Sequence, residues 1–333
     1  MTAVPVDART RPRVGRLLRR AFLLAGWLIT AALGVLTMAR VVAYDRGRLL
    51  LVANSLTYWI FLPECVVLAV AIAARKYALV ACATAVVLAH VIVVWPSLRA
   101  PADVPRHAYR APRLRLFAAN VLFDNPHPDG IVDEIGRADA DVVMLEEFTT
   151  RWQHILEGAT WWDDYPYRLI TPRGTTARSA MLSRLPLEDT AIDYTQRSPL
   201  LGATVRVDGR SVRLFDVHPA APVFNYPRWH AQSDAITVTV AATRGRVVAA
   251  GDFNVTQFNA WMDDLESLGL RSAHELVGRG TATTWPNGHG LFPPVRIDHV
   301  LVSERVMPLR VREGVGEGSD HKPVLVDLVL TAA

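Results

Sequence analysis

Val247-Val248-Ala249-Ala250-Gly251-Asp252-Phe253-Asn254 is the stretch whose reading decides the fold. A short apolar, β-prone run ends on glycine, and a carboxylate and a carboxamide follow two residues apart. If the strand continues in register, that spacing turns both side chains to one face at its C-terminal end. An Asp-x-Asn pair so placed suits work on phosphate: the carboxylate takes a proton or a metal ion, and the amide orients an oxygen. The plain alternative is a Gly-Asp turn after a buried strand. The stretch alone does not separate the two.

Working outward, β-prone runs alternate with helical patterns through residues 113–333. The sequence predicts strands over 113–119, 141–145, 167–171 and 180–183, with helices over 130–137 and 149–156 between them. Runs 201–207 and 212–217 flank Asp208-Gly209, a hairpin signal. A helix is expected over 226–242, with Pro227 suited to its first turn, and another over 258–268. Runs 295–302 and 323–330 read as late strands. There is no internal repeat, and the pattern is that of one α/β domain.

The acids, amides and imidazoles sit where these strands end. Asn120 follows the first, Glu146-Glu147 the second and His218 the hairpin. Asp252 and Asn254 close the opening stretch, and Asp298 lies in Arg296-Ile297-Asp298-His299. Asp320-His321 fall in a Gly-rich loop before the last strand. Each alone is more often a cap or a satisfied surface group. Together they favour a metal-assisted hydrolase, because sheets converge their strand-end loops on one crevice.

The first third is different. The mean hydropathy of +0.18 is high for a soluble enzyme, and the excess is local. Residues 1–20 form an Arg-rich tail, expected disordered or interfacial. Apolar stretches follow over 21–39 (to 43 if Arg40 snorkels), 49–74 and 77–95, each near the roughly 20 residues that cross a bilayer. The expected organisation is a basic tail (1–20), three transmembrane helices (21–96), a Pro-rich linker lifting the next domain off the bilayer (97–112) and a catalytic domain (113–333). The tail and Arg75-Lys76 place the N-terminus inside and the domain outside a cell membrane by the positive-inside rule. Glu64 is the one acid within a span, read as a residue near a helix break.

Residues 1–109 carry 13 Lys+Arg against 4 Asp+Glu, and residues 110–333 carry 23 against 28, a net of −5. An acidic domain counts against nucleic acid as partner, since that affinity rests on a basic surface. Cys65 and Cys82 both fall in the apolar stretches, so the domain has neither a disulfide nor a zinc-thiolate site. No protein partner is evident.

The motifs Gly251-Asp252-Phe253-Asn254, Ser319-Asp320-His321, Leu145-Glu146-Glu147, Ala180-Met181-Leu182-Ser183-Arg184 and Arg296-Ile297-Asp298-His299 resemble the endonuclease/exonuclease/phosphatase superfamily. The resemblance covers essentially all of residues 113–333. It implies an α/β fold, a four-layer αββα sandwich of the DNase I-like kind, with the site at one edge. It also implies that Glu147 is the main metal ligand, beside Asn120 and Asp320, with Mg²⁺ or Mn²⁺ as the ion. Asp252 and Asn254 would orient or deprotonate the attacking water, Asp298 would hold His321 in its tautomer, and His218 would donate to a non-bridging oxygen. Leu122 stands where some relatives have an acid, which weakens a second metal. Glu146 replaces the usual Gln and is expected solvent-facing or behind the ligands.

Three apolar spans before such a domain look like the membrane-anchored vancomycin/teicoplanin-resistance subgroup. That implies hydrolysis, outside the membrane, of a polyprenyl (undecaprenyl-type) pyrophosphate or related lipid-linked phosphate at the membrane surface, with a link to antibiotic resistance. The alternatives are an extracellular nuclease or sphingomyelinase-type phosphodiesterase and, in another class, a tethered binding module without turnover. Arg228, in Phe224-Asn225-Tyr226-Pro227-Arg228-Trp229, is a candidate to line the pocket and clamp a second phosphate. Trp161-Trp162-Asp163-Asp164-Tyr165-Pro166-Tyr167 and the loop 290–294 are candidates to touch the bilayer, or else to pack between loops and sheet.

Overall fold

The computed structural model describes residues 11–172, 178–288 and 292–332, with the backbone only for residues 11–18 and His107. The N-terminal part holds α1 (Arg11–Ala43), α2 (Arg48–Ser55), α3 (Thr57–Ile60), α4 (Leu62–Ala73) and α5 (Tyr77–Val94). Residues 19–43 and 77–98 are each helical, long and apolar enough to cross a membrane. The single span expected over 49–74 is broken instead: α2 and the run 57–73 are bent by 75° to one another, and only by counting them as one span does the number reach three. The cause is α2's burial elsewhere. Leu51 is 1% exposed and packs in the outer core of the domain that follows, a contribution of about 1.5–3 kcal/mol.

The expected disordered tail is corrected over residues 11–20, which extend α1; residues 1–10 lie outside the described residues. Arg, Leu and Val run on there with Gly15 as the one weak helix former once Pro12 has taken a place in the first turn. Glu64 is fully buried in α4 and accepts from Thr30 Oγ1 of α1 at 2.7 Å, so a helix–helix hydrogen bond accounts for it.

The domain follows. β1 (Arg113–Asn120), α6 (Pro128–Ala138) and β2 (Val142–Glu146) form a parallel β–α–β unit, then come α7 (Thr150–Glu157), β3 (Tyr167–Ile170) and β4 (Ser179–Ser183). β5 (Glu188–Thr195), β6 (Ser198–Val207) and β7 (Arg210–Asp216) form a meander, and α8 (Tyr226–Ala242) crosses to β8 (Val247–Asp252), parallel to β7. α9 (Ala260–Ser267), β9 (Leu270–Ser272), α10 (Ala273–Leu276), β10 (Asp298–Ser303), β11 (Val306–Glu313) and β12 (Val324–Leu330) complete it. The β6–β7 turn is Asp208-Gly209, both residues at positive φ (46° and 77°), as a two-residue hairpin requires.

The two mixed sheets have strand orders β11-β12-β1-β2-β4-β3 and β5-β6-β7-β8-β10-β9. Alternate residues of their central strands make one core between the sheets: Leu116 and Ala118, Val142 and Met144, Leu214, Val248 and Ala250, Val300 and Val302. The residues between them face outward. On one side they meet Ile131, Ile135 and Trp152 of α6 and α7, and on the other Trp229, Ile236 and Leu265 of α8 and α9. The order is helix, sheet, sheet, helix. Strands β5, β9 and β11 escaped the sequence reading: each is an edge or next-to-edge strand, half polar, with weak alternation.

One of the two surface readings is decided, in favour of packing. Trp161 donates through Nε1 to Val132 O at 3.0 Å and Trp162 is 9% exposed, so this pair packs on α6 and the core rather than facing outward. Of the loop 290–294, Gly290 and Leu291 lie outside the described residues. The linker segment touches the domain. Ser97 and Pro101 fill the space where Gly280 and Gly278 lack a Cβ, and Ala102 N donates to Leu276 O at 2.8 Å.

Candidate active site

The inner-face parity of each strand carries through to its last residue, and there the residue type changes. Asn120 continues the Leu116–Ala118 series, Glu146 continues Val142–Met144, and Asp216 follows Val212–Leu214. Asp252 follows Val248–Ala250, and Asp298 precedes Val300–Val302. One edge of the inter-sheet core thus turns from aliphatic to acidic. Antiparallel pairing of β8 with β10 sets Asp252 opposite Asp298, while the parallel pairs β1–β2 and β7–β8 bring the remaining strand ends to the same edge.

Asp252 is 1% exposed and sits at the centre. Its Oδ1 accepts from Asn254 N at 2.8 Å, and its Oδ2 accepts from the side-chain amides of Asn254 and Asn120, both at 3.2 Å. His218 Nε2 and His321 Nε2 lie 3.7 and 3.8 Å from the same Oδ2. His321 Nδ1 reaches both oxygens of Asp298 at 3.1 and 3.0 Å, so this carboxylate holds the imidazole in orientation. Asp298 is itself placed by Thr284 Oγ1, which accepts from its backbone N at 3.1 Å. Ser319 Oγ donates to Asn120 O at 2.8 Å and accepts from His321 N at 3.1 Å, tying the last loop to β1.

Glu147 and Asn254 both take positive φ, 55° and 57°. A non-glycine residue there is held by its surroundings, and such residues cluster at working sites. The turn at Glu147 breaks the strand parity and aims its carboxylate beside Asn120: Oε1 accepts from Asn120 Nδ2 at 3.2 Å, and Oε2 from Phe123 N at 3.0 Å. Asp320 is half exposed, and its Oδ2 accepts from Trp285 Nε1 at 3.0 Å. Gly251, at φ 130°, cannot carry a side chain, because a Cβ would meet Val217 O and lie 2.6 Å from Glu146 Oε1.

The model of the Endonuclease/Exonuclease/phosphatase family matches residues 117–321, more than half of the chain. The chain belongs to that family. Solved structures agree on the fold. The TDP2 of D. rerio, complexed with single strand DNA product, is 19% identical with a TM-score of 0.57, over 65% of this chain and 98% of that one. A family protein of Bacteroides thetaiotaomicron is 17% identical at a TM-score of 0.54 (67% and 99%). One of Beutenbergia cavernae is 18% identical at 0.52 (67% and 72%). A search among curated proteins returns no match. The family's enzymes hydrolyse phosphoester bonds and are in general dependent on divalent metal.

Within this family site the charges are uneven. Burial pulls His321 down, but Asp298 and then Asp252 outweigh it and push the imidazole up to about 10. Burial pushes Asp252 up to about 7, with His321 pulling it back and Asp298 adding to the rise. Burial holds His218 below the ordinary histidine value, so it is a neutral imidazole with an N–H to give. An acid poised near 7 between two imidazoles suits proton transfer at neutral pH.

One atom each of Asp252, Asp298 and His321 lie within 4.8 Å of one another, close enough to hold a metal ion. The direct His321–Asp298 hydrogen bond already satisfies that group. Asn120 presents its amide nitrogen to Glu147 and Asp252, while its Oδ1 accepts from Leu122 N at 3.1 Å. Among the expected ligands, the carboxylates of Glu147 and Asp320 are therefore the ones facing the open side. Hard oxygen donors that leave room for water fit Mg²⁺ or Mn²⁺. Arg228 lies in the first turn of α8, capped by Asn225, and its guanidinium has no ion-pair partner among the described residues.

Asp216 and Thr284 were not anticipated. Asp216 had a signal, two residues before His218 on the same strand face, but Thr284 had none. Of the two placements expected for Glu146, the structure has the buried one: it is 0% exposed, not solvent-facing. It meets Asp216, also 0% exposed, and among the described residues no other group donates to either carboxyl. Burial first, then Asp216, drives Glu146 well above the ordinary carboxylate range, and burial pushes Asp216 up to about 7. One proton shared between them would satisfy both.

Proposed function

We propose that this chain is a membrane-anchored, metal-dependent phosphohydrolase that acts outside the membrane on a polyprenyl pyrophosphate or related lipid-linked phosphate. The observation that carries the reading is the interlock between the apolar helices and the strand-end loop of Asp252 and Asn254. Asp45 Oδ2 accepts from Ala260 N at 2.7 Å and from Asn259 Nδ2 at 3.1 Å. Ser55 Oγ donates to Asn259 Oδ1 at 2.8 Å, and Arg40 Nη2 to Phe258 O at 2.7 Å. Tyr44 OH donates to Asp263 Oδ2 at 2.6 Å. The end of the first bilayer-length helix and the segment after it thus grip residues 258–263, a few positions after the site. A lipid headgroup is the phosphate such a placement keeps at high effective concentration.

In this reading Glu147 and Asp320 hold the Mg²⁺ or Mn²⁺, with Asn120 beside them, and the ion supplies Lewis-acid polarisation of the phosphoryl oxygens. Asp252 takes the proton of the attacking water, which Asn254 helps to orient. His321, kept cationic by Asp298, neutralises charge developing on the phosphoryl group, and His218 donates to a non-bridging oxygen. Arg228 remains the candidate clamp for a second phosphate. The basic tail and the Arg75-Lys76 turn support an N-inside, domain-outside orientation, and the resistance-linked subgroup remains the resemblance that names the lipid.

A second reading has one observation behind it, the single-strand DNA product bound by the D. rerio neighbour. Against it, the basic cleft lined by Arg210, Arg213, Arg244 and Arg246 lies at the starts of β7 and β8, the opposite end from the site. The test uses the full chain in nanodiscs with Mg²⁺ and three substrates: a polyprenyl pyrophosphate, sphingomyelin and plasmid DNA. Phosphate release from the pyrophosphate is expected, abolished by EDTA and by Asp252→Ala or His321→Ala. Cleavage of DNA alone overturns the proposal, and binding without turnover of any substrate points to the tethered module.

A further inference from the structure

The active-site edge is bridged to the helical segment from two sides. On one side Asn254 Nδ2 donates to Pro219 O at 3.1 Å, and the loop that begins there returns through Val223, whose carbonyl accepts from Arg48 Nη1 at 3.4 Å. Tyr226 OH, at the loop's end, donates to Asp45 O at 2.8 Å. On the other side Asp320 accepts from Trp285, whose ring lies 5.1 Å from that of Phe292. Pro294 O then accepts from Trp59 Nε1 at 2.9 Å. The site lies between these bridges, and both end on residues 45–59, which join the first apolar helix to the rest.

The same junction exposes large apolar side chains. Phe224 is 88% exposed, Leu49 83%, Val223 44%, Phe292 41% and Trp59 37%. They come from three separate stretches of chain, yet all flank the two bridges. Single exposed apolar residues are ordinary on a soluble surface, but a group of them at one junction marks an interaction site. What covers it is fixed by continuity. α1 ends at Ala43 and α4 begins at Leu62, so this junction is where the apolar helices leave the domain. A surface continuous with membrane-spanning helices meets lipid, and a Trp among aliphatic and Phe side chains suits headgroup depth.

Resting on the membrane-anchored reading above, we propose that Phe224, Val223, Leu49, Trp59 and Phe292 form a rim that enters the headgroup layer. The active site then opens onto the bilayer surface rather than onto bulk solvent. Substrate reaches it by lateral diffusion, with the headgroup phosphate raised between the two bridged loops and the chain left in the lipid.

The test reads depth rather than catalysis. The full chain carrying Cys65→Ala and Cys82→Ala, with Phe224→Cys, Leu49→Cys or Arg244→Cys added one at a time, is labelled with an environment-sensitive fluorophore. It is then reconstituted in phosphatidylglycerol/phosphatidylcholine vesicles containing spin-labelled lipid. Labels at 224 and 49 should be quenched by at least about half, and the label at 244, at the far end of the domain, should not be. Flotation of the vesicles separates the two ways to fail. A chain that does not float with lipid defeats the membrane reading itself. One that floats, with labels at 224 and 49 as unquenched as that at 244, defeats the rim alone.

Discussion

Two acidic clusters lie side by side between the sheets, and only one of them has an imidazole to take up charge. Asp252 and Asp298 have an imidazole between them, and their field raises His321 to about 10. Among the described residues Glu146 and Asp216 have no cation and no outside donor, and burial raises both carboxyls, which favours keeping a proton. Only the backbone of Gly251 separates the two, with Glu146 Oε1 just 2.6 Å from where its Cβ would be. Burial is near complete in both. The difference teaches that the second partner of a buried carboxylate decides whether it becomes a charged working group or a neutral spacer.

The comparison breaks most severely at Asp252. Asp252→Asn keeps the shape but cannot take a proton, and under the proposed function the rate should fall about 10²- to 10⁴-fold with little change in KM, read by steady-state kinetics at saturating Mg²⁺. Next comes the wall between the clusters. Gly251→Ala adds a methyl at φ 130° against Val217 O and Glu146, and should cost roughly 3 kcal/mol or more. Thermal unfolding of the full chain in detergent would show it, and an unchanged Tm would mean that the two clusters are not in contact across this backbone.

Asp298→Asn is a milder probe, and it acts through His321. The raised imidazole is a stabilising pair below its ordinary value near 6.5, and that stability is lost as pH rises through about 10. Without the Asp298 charge the loss begins at lower pH. The rate should drop about tenfold to a hundredfold, and the alkaline limb of the pH–rate profile should move down by at least about one unit. A rate loss with the limb unmoved would assign Asp298 a purely structural role.

How much of this was legible depended on whether the cause was local. Strand-end positions of Asn120, Glu147, His218, Asp252 and Asp298 follow from the apolar β-prone runs beside them, which the sequence shows directly, although the turn that takes Glu147 out of the strand parity does not show there. The helix over 226–242 was placed to the residue, since Asn225 caps it and Pro227 starts it. Other features answer to distant segments. Leu51 looks like any residue of a membrane span until Phe215, Trp229 and Trp261 are found around it, and Thr284 orients Asp298 from fourteen residues away. Glu146 was visible as a departure from the family's Gln, but its neighbour Asp216 was not, so its proton could not be inferred.

Glu146→Gln is the smallest perturbation and separates the two clusters most cleanly. Glutamine has the same shape and brings its own N–H donor to Asp216, so no proton need be shared. Asp216 has a folded value of about 7, above its unfolded one near 3.8. The proton it holds therefore stabilises the fold fully below pH 4, and this stability is lost as pH rises through about 7. In the parent chain up to about 4 kcal/mol should disappear across that window. With Glu146→Gln the raised acid Glu146 is gone while Asp216 keeps a side-chain donor as in the parent, so the slope should become shallower, measured as the change in Tm between pH 5 and pH 8. The rate at pH 7 should stay within about threefold of the parent, because neither Glu146 nor Asp216 faces the open side. A pH slope that persists would mean that the proton is not shared here, and that some other buried group, Asp252 first, carries it.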